Sequence, residues 1–203
     1  MKYSIIILSI VLFILITCKV DLRQFPTKFE IQKIDNSIGK PSLYIGSFHI
    51  NGIYDKFFNK EMEKIFVSFL ESKRYFNKIT LLPLDKNLRE QDYHIVDIDI
   101  DPVYKEKIFW WLTWPAIYPF SGFWPIQIIS ADFHLSIRVK IYDKSGLRQN
   151  SIEVDDSFQD TIVFYGFYRT SPFERRIQES YKKTYYQIAT KLSDKEILTG
   201  NKQ

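Results

Sequence analysis

Cysteine is all but missing from this chain. The single one, Cys18, excludes an intramolecular disulfide, so the fold must rest on its apolar core even in an oxidising compartment. Glycine is scarce as well: seven residues in 203 leave little material for a phosphate cradle, and neither a G-x-x-x-x-G-K-[ST] nor a G-x-G-x-x-G pattern occurs. There is no G-x-S-x-G nucleophile elbow. Histidine is represented only by His49, His94 and His134, none in the H-E-x-x-H spacing of a zinc site. A surplus of one charge is also lacking. Lys and Arg number 28 against 24 Asp and Glu, a net +4, and the two signs are interleaved, which excludes the basic stripe of a nucleic-acid binder. No apolar run reaches the ~20 residues a helix needs to cross a bilayer. These absences leave no catalytic signature, no cofactor and no metal to expect.

What is present begins with a greasy leader. Ser4 to Thr17 reads SIIILSIVLFILIT after a lone Lys2 and closes on Leu15-Ile16-Thr17-Cys18, about the length of the apolar region of an export signal. This ending resembles a bacterial lipobox of the relaxed, spirochaete type, in which a diacylglycerol is joined to the cysteine sulfur and the leader is cut away. Leu15 supplies the aliphatic three residues before the cysteine, while Thr17 departs from the Gly, Ala or Ser of the strict motif. The resemblance implies cleavage between Thr17 and Cys18 and a lipid-anchored protein of the cell envelope. Lys19 lacks the acidic retention signal of some Gram-negative systems. An uncleaved anchor and an ordinary secretory signal are the competing readings. Acylation has a large physical effect, because each buried methylene contributes about 0.8 kcal/mol and two chains anchor stably.

Three segments follow. Residues 1–17 are the signal, residues 18–41 a polar tether with room for an edge strand around Lys28–Lys33, and residues 42–198 a single domain. Within the domain, Ser42–Ile50 is dense in β-formers, with Gly46 marking a close backbone approach. From Asp55 to Phe76 the apolar period becomes helical, through Phe58, Met62, Ile65, Phe66, Phe69 and Leu70. Ile79–Leu82 is a short strand and Asp85–Asp92 a charged loop. His94–Val103 and Phe133–Ile141 alternate apolar with polar residues as half-buried strands do. Asp143-Lys144-Ser145-Gly146 is turn chemistry, so Ser151–Phe164 should return as a hairpin partner. Ser171-Pro172-Phe173-Glu174 reads as a capping box opening a second helix, whose stripe is Phe173, Ile177, Tyr181, Tyr185, Ile188 and Leu192.

The expected fold is α+β: a mixed, mostly antiparallel sheet of four to five strands with two amphipathic helices on one face. This element order, joined to the lipobox, resembles the small domain of CsgG-type secretion lipoproteins and of lipoprotein auxiliaries of envelope ABC transporters. The resemblance covers most of residues 42–192 and implies an accessory role in an envelope machine.

One internal segment stands out. Phe109 to Pro125 reads FWWLTWPAIYPFSGFWP and holds all four tryptophans. Pro115, Pro119 and Pro125 forbid a regular helix, and Phe109, Trp110, Trp111, Trp114, Tyr118, Phe120, Phe123 and Trp124 are too apolar for a solvated loop. Three readings compete: a loop dipping into the membrane interface, a docking patch for an envelope protein or an identical subunit, and a cap folded back on the core. Other constellations have blander readings. Asp97, Asp99 and Asp101 mimic a calcium loop, but Pro102 and Ile108 stand where an EF-hand needs Gly and Glu, so a solvated strand face explains the spacing. Arg175 and Arg176 read as a solvated helix face. The expected activity is therefore binding rather than catalysis: an anchored accessory or assembly subunit, with a lipid or apolar-ligand carrier as alternative and an unrecognised hydrolase third.

Overall fold

The computed structural model describes residues 20–26, 41–73, 76–81, 93–109, 126–143, 145–165, 169–194 and 198. The leader, the span around Lys28–Lys33 and the charged loop at Asp85–Asp92 lie outside them. The described residues form strand β1 (Ser42–Ile50), helix α1 (Lys56–Lys73), strands β2 (Ile79–Leu81), β3 (Tyr93–Ile108), β4 (Ile126–Tyr142) and β5 (Arg148–Tyr165), and helix α2 (Ser171–Leu192). The strands make one mixed sheet in the order β2-β1-β3-β4-β5. β1 runs parallel to both β2 and β3, whereas β3, β4 and β5 form an antiparallel meander. The architecture is the expected α+β one.

Alternation along the strands decides which face is covered. Val96, Ile98 and Ile100 on β3 and Phe133, Leu135, Ile137, Val139 and Ile141 on β4 are fully buried. Both helices lie on that face. Phe58, Met62, Phe66, Phe69 and Leu70 of α1, and Phe173, Ile177, Tyr181, Tyr185, Ile188 and Leu192 of α2, complete the core. Phe66 meets Tyr185 edge-on, ring centres 5.0 Å apart, so the helices are joined to each other as well as to the sheet.

Two irregularities have local causes. The β1–β3 register slips between Ile45 and Ser47, and a Cβ placed on Gly46 would stand 2.6 Å from Asp97 Oδ1. The crowding comes from neighbouring side chains, Asp97 and Ile95, and not from the close backbone approach that the sequence suggested. The parallel pairing of β1 stops at Ile50–Ile100, with the Asn51 N–H donating to the Ile100 carbonyl at 2.8 Å. The next residue of β3 to face that side is Pro102, which has no N–H to offer. From there β3, β4 and β5 continue alone as a three-stranded ribbon.

The sequence reading falls short at three places. β3 continues to Ile108 and β4 starts at Ile126, well outside the alternating cores, because exposed Lys105, Glu106 and Lys107 hide the pattern that Tyr104 and Ile108 carry on. Ser171 does not cap α2. Thr170 already has helical dihedrals (φ −76°, ψ −24°) with no side-chain cap, and its carbonyl takes the Phe173 and Glu174 N–H groups. Glu174 is thereby released from the box and accepts a hydrogen bond from the Asp21 N–H at 3.3 Å. Finally, residues 20–26 of the expected tether lie against the domain, with Val20 buried and Leu22 packed on the core.

Candidate functional site

β1, β3 and β5 all point the same way, so the connections that leave their C-terminal ends gather at one end of the molecule. Both helices start there. α1 is opened by Asp55, whose carboxylate accepts the N–H groups of Phe57 at 2.9 Å and Phe58 at 3.1 Å, a regular N-cap. α2 begins beside the ribbon, where the Phe173 ring packs 6.5 Å from Tyr104 and 6.2 Å from Phe164.

Residues 20–26 strap this end. The Asp21 N–H donates to Glu174 in the first turn of α2, and Arg23 bridges Asp21 at 2.9 Å and Asp55 at 3.3 Å. The Phe25 ring sits 5.1 Å from Phe58 on α1, while Gln178 on α2 donates through Nε2 to the Phe25 carbonyl. Gln24 Nε2 closes the strap onto the Asp21 carbonyl at 2.8 Å. The Asp21 carboxyl is held below its ordinary range, chiefly by its hydrogen bond from the Arg23 side chain. Each exposed pair is individually weak. Together with the buried Val20 they fix where the chain emerges, two residues after Cys18.

The aromatic segment leaves the domain at the same end. Beyond the Tyr104 level, β3 and β4 stay paired to Ile108–Ile129, and the Phe109 N–H donates to the Ile128 carbonyl at 3.0 Å. Phe109 is half-buried, with the Lys107 ammonium 5.3 Å from its ring centre, a cation–π approach. From Asp101 to Ile108 the ribbon reaches roughly 26 Å past the last residue paired to β1. Trp110, Trp111, Trp114, Tyr118, Phe120, Phe123 and Trp124 lie outside the described residues, as do Thr17 and Cys18. The described residues Val20 and Phe109, which border the two undescribed stretches, thus lie toward the same end of the sheet, a placement that sequence reasoning missed because it depends on strand direction.

The remaining sequence candidates are dispersed. His94, His49 and His134 stand at the β3 levels of 94, 99 and 103, spaced about 13–17 Å apart along the strands. His94 is buried, whereas His134 is exposed with Nε2 3.9 Å from Asp155. Asp97, Asp99 and Asp101 share the face away from the helices. There Asp99 pairs with Lys140 at 2.9 Å, and Arg138 pairs with Glu153 at 2.7 Å. Among the described residues no group of three His, Cys, Asp or Glu is placed to hold a metal ion, and no helix is long and apolar enough to cross a membrane. Arg175 is exposed, while Arg176 pairs with Asp160 at 3.0 Å. Two polar groups that the sequence did not single out are the hydroxyls of Tyr181 and Tyr185. Both are buried with no hydrogen-bond partner among the described residues, and burial raises both phenols.

The fold and this end define a class: a two-layer α+β domain with a five-stranded mixed sheet and a strapped helical face. A protein-family model matches residues 9–192, from within the apolar leader to the last residue of α2, and the chain belongs to that family. No curated protein matches it in sequence. Among solved structures, a neuraminyllactose-binding hemagglutinin homolog from Helicobacter pylori is 14% identical, with 89% of this chain and 95% of that one aligned at a TM-score of 0.51. PelC from Paraburkholderia phytofirmans aligns at 12% identity over 70% of this chain and 85% of its own, TM-score 0.28. A minor lipoprotein from Acinetobacter baumannii aligns at 8% identity over 77% and 90%, TM-score 0.28. The first of these is a likeness of fold.

Proposed function

We propose that the chain is an envelope lipoprotein anchored through Cys18, working by binding rather than catalysis. In this reading it is an accessory or assembly subunit of an envelope transport or secretion system, and the loop 109–125 is its contact surface. One observation supports this most. The strap that begins at Val20 and the ribbon that ends at Phe109 leave the domain at the same end, so acyl chains on Cys18 would hold the aromatic segment near the bilayer. There, Trp and Tyr suit either the interfacial belt or a partner's surface. The test is the double variant Trp111→Ala, Trp114→Ala, assayed for membrane association and for recovery of a crosslinked partner. Both readouts unchanged would refute the loop's role. Metabolic labelling with a clickable fatty acid, lost in Cys18→Ala, tests the anchor separately.

A second reading, a carrier of a lipid or other apolar ligand, is favoured by the two unpartnered hydroxyls between the helices and the sheet. It requires lipid to co-purify with the protein and to protect that region. A hydrolase would require turnover in broad substrate profiling.

A further inference from the structure

β5 is the last strand of the sheet, so one of its two rows of backbone groups faces no neighbouring strand. Two contacts reveal which residues own that row. Lys191 on α2, away from β4, donates to the Glu153 carbonyl at 3.2 Å, and the Ser151 N–H is taken by the side chain of Asn150 at 2.8 Å. The N–H and C=O of one residue point to the same side and alternate along a strand. The β4–β5 register is regular across this stretch, so the odd-numbered residues from Ser151 to Val163 turn their backbone outwards. Asn150 and Lys191 blunt the row at 151 and 153. Among the described residues, nothing takes the outward groups of Asp155, Ser157, Gln159, Thr161 or Val163.

Sheets usually guard such an edge with Lys, Pro, a bulge or a covering element. Between Gln149 and Tyr165 there is no Lys, Arg or Pro. The stretch carries acids alone: Glu153, Asp155, Asp156 and Asp160. Three of them are matched from within the domain, Glu153 by Arg138, Asp156 by Lys183 and Ser180, and Asp160 by Arg176. Among the described residues Asp155 has only His134, 3.9 Å away and charged only when protonated. A second copy laid antiparallel over residues 155–163 would set Asp155 opposite Val163 and give its carboxylate no counter-charge. A strand bearing Lys or Arg opposite Asp155, and β-branched residues beside Thr161 and exposed Val163, matches both charge and surface.

We propose that the outward edge of β5, from Asp155 to Val163, is a strand-addition site for an extended basic segment of another protein, held by main-chain hydrogen bonds with side-chain charge setting the choice. This surface is separate from the 109–125 loop, and either can fail without the other.

The test uses the full chain in detergent and a fluorescent heptapeptide alternating lysine with valine, beside its glutamate–valine counterpart. Gln159→Pro removes an outward N–H and no ladder bond, so the sheet is retained while strand addition is blocked. Asp155→Lys leaves the backbone intact and inverts the charge. The lysine peptide should bind by anisotropy and slow deuterium exchange at the odd-numbered amides from 155 to 163. Asp155→Lys should weaken it about tenfold, Gln159→Pro should abolish it, and the glutamate peptide should not bind. Absence of binding by the unaltered chain would overturn the proposal, as would equal binding by both variants. A dimer of the unaltered chain that Gln159→Pro dissociates would also overturn it, making a second copy the occupant.

Discussion

Tyr185 and Tyr181 carry the most direct single-residue forecast. Their rings fill the core, 6.2 Å apart, yet their hydroxyls are buried without partners among the described residues, which ordinarily costs about 1–3 kcal/mol for each group. Tyr185→Phe should therefore leave stability unchanged or raise it by about 1 kcal/mol in urea unfolding. A loss of comparable size would show that the hydroxyl is engaged, which is what the carrier reading needs. Gly46→Ala should destabilise by about 1 kcal/mol, since the new methyl must push the Asp97 carboxylate aside and crowds Ile95, 3.3 Å away. The same measurement reads it. Gly46 was legible only in part: glycine in a β-rich run marks a crowded position, but the crowding group is the Asp97 side chain and not a neighbouring backbone. The helix cap was misread because Ser-x-x-Glu is a pattern of identities, whereas the cap depends on where the dihedrals turn helical, and Thr170 turns first.

The β4–β5 turn and the 20–26 strap share one electrostatic device. Asp143 accepts from the Ser145 hydroxyl and from the Ser145 and Leu147 N–H groups, and its carboxyl is lowered chiefly by the Ser145 hydroxyl. Gly146 closes the turn at φ 78°. Asp21 is lowered chiefly by Arg23. A carboxyl lowered in the fold adds stability above its unfolded pKa and loses it as pH falls through the folded one. Amide exchange at Leu147 and Arg23, whose N–H groups these two carboxylates accept, should therefore be constant from neutral pH to about 5, after correction for intrinsic rates, and lose protection below about 4. Asp143→Asn should remove the pH dependence at Leu147 alone. In β5 the odd-numbered amides from 155 to 163 should exchange faster than the even-numbered ones facing β4. A uniform rate would contradict the assigned edge. The elements themselves were legible wherever alternation or a helical stripe ran unbroken, as in Phe133–Ile141 and Phe58–Leu70. They were not legible where Lys105-Glu106-Lys107 extends a strand through pairing alone, or where parallel order depends on a crossover that no local pattern records.

At the scale of the whole molecule, parallel alignment of β1, β3 and β5 places the strap, both helix starts and the exit of the aromatic segment at one end, with the 143–147 turn at the other. The sequence held each part, namely the lipobox-like ending at Cys18 and the Trp-rich loop, but not that Val20 and Phe109, the described residues nearest to them, lie toward one end of the sheet. Cys18→Ala should move the protein from the membrane to the soluble fraction, and Thr17→Gly should preserve or improve processing. Unchanged fractionation of Cys18→Ala would leave an uncleaved leader as the anchor. The central claim is that this end meets the membrane or a partner while the far end faces water. The most direct measurement places a photoreactive residue at Trp114 or at Ser145 in cells and compares the adducts by mass spectrometry. The account predicts lipid or protein adducts from 114 and few from 145. Adducts chiefly from 145, or only intramolecular links from 114, would contradict it.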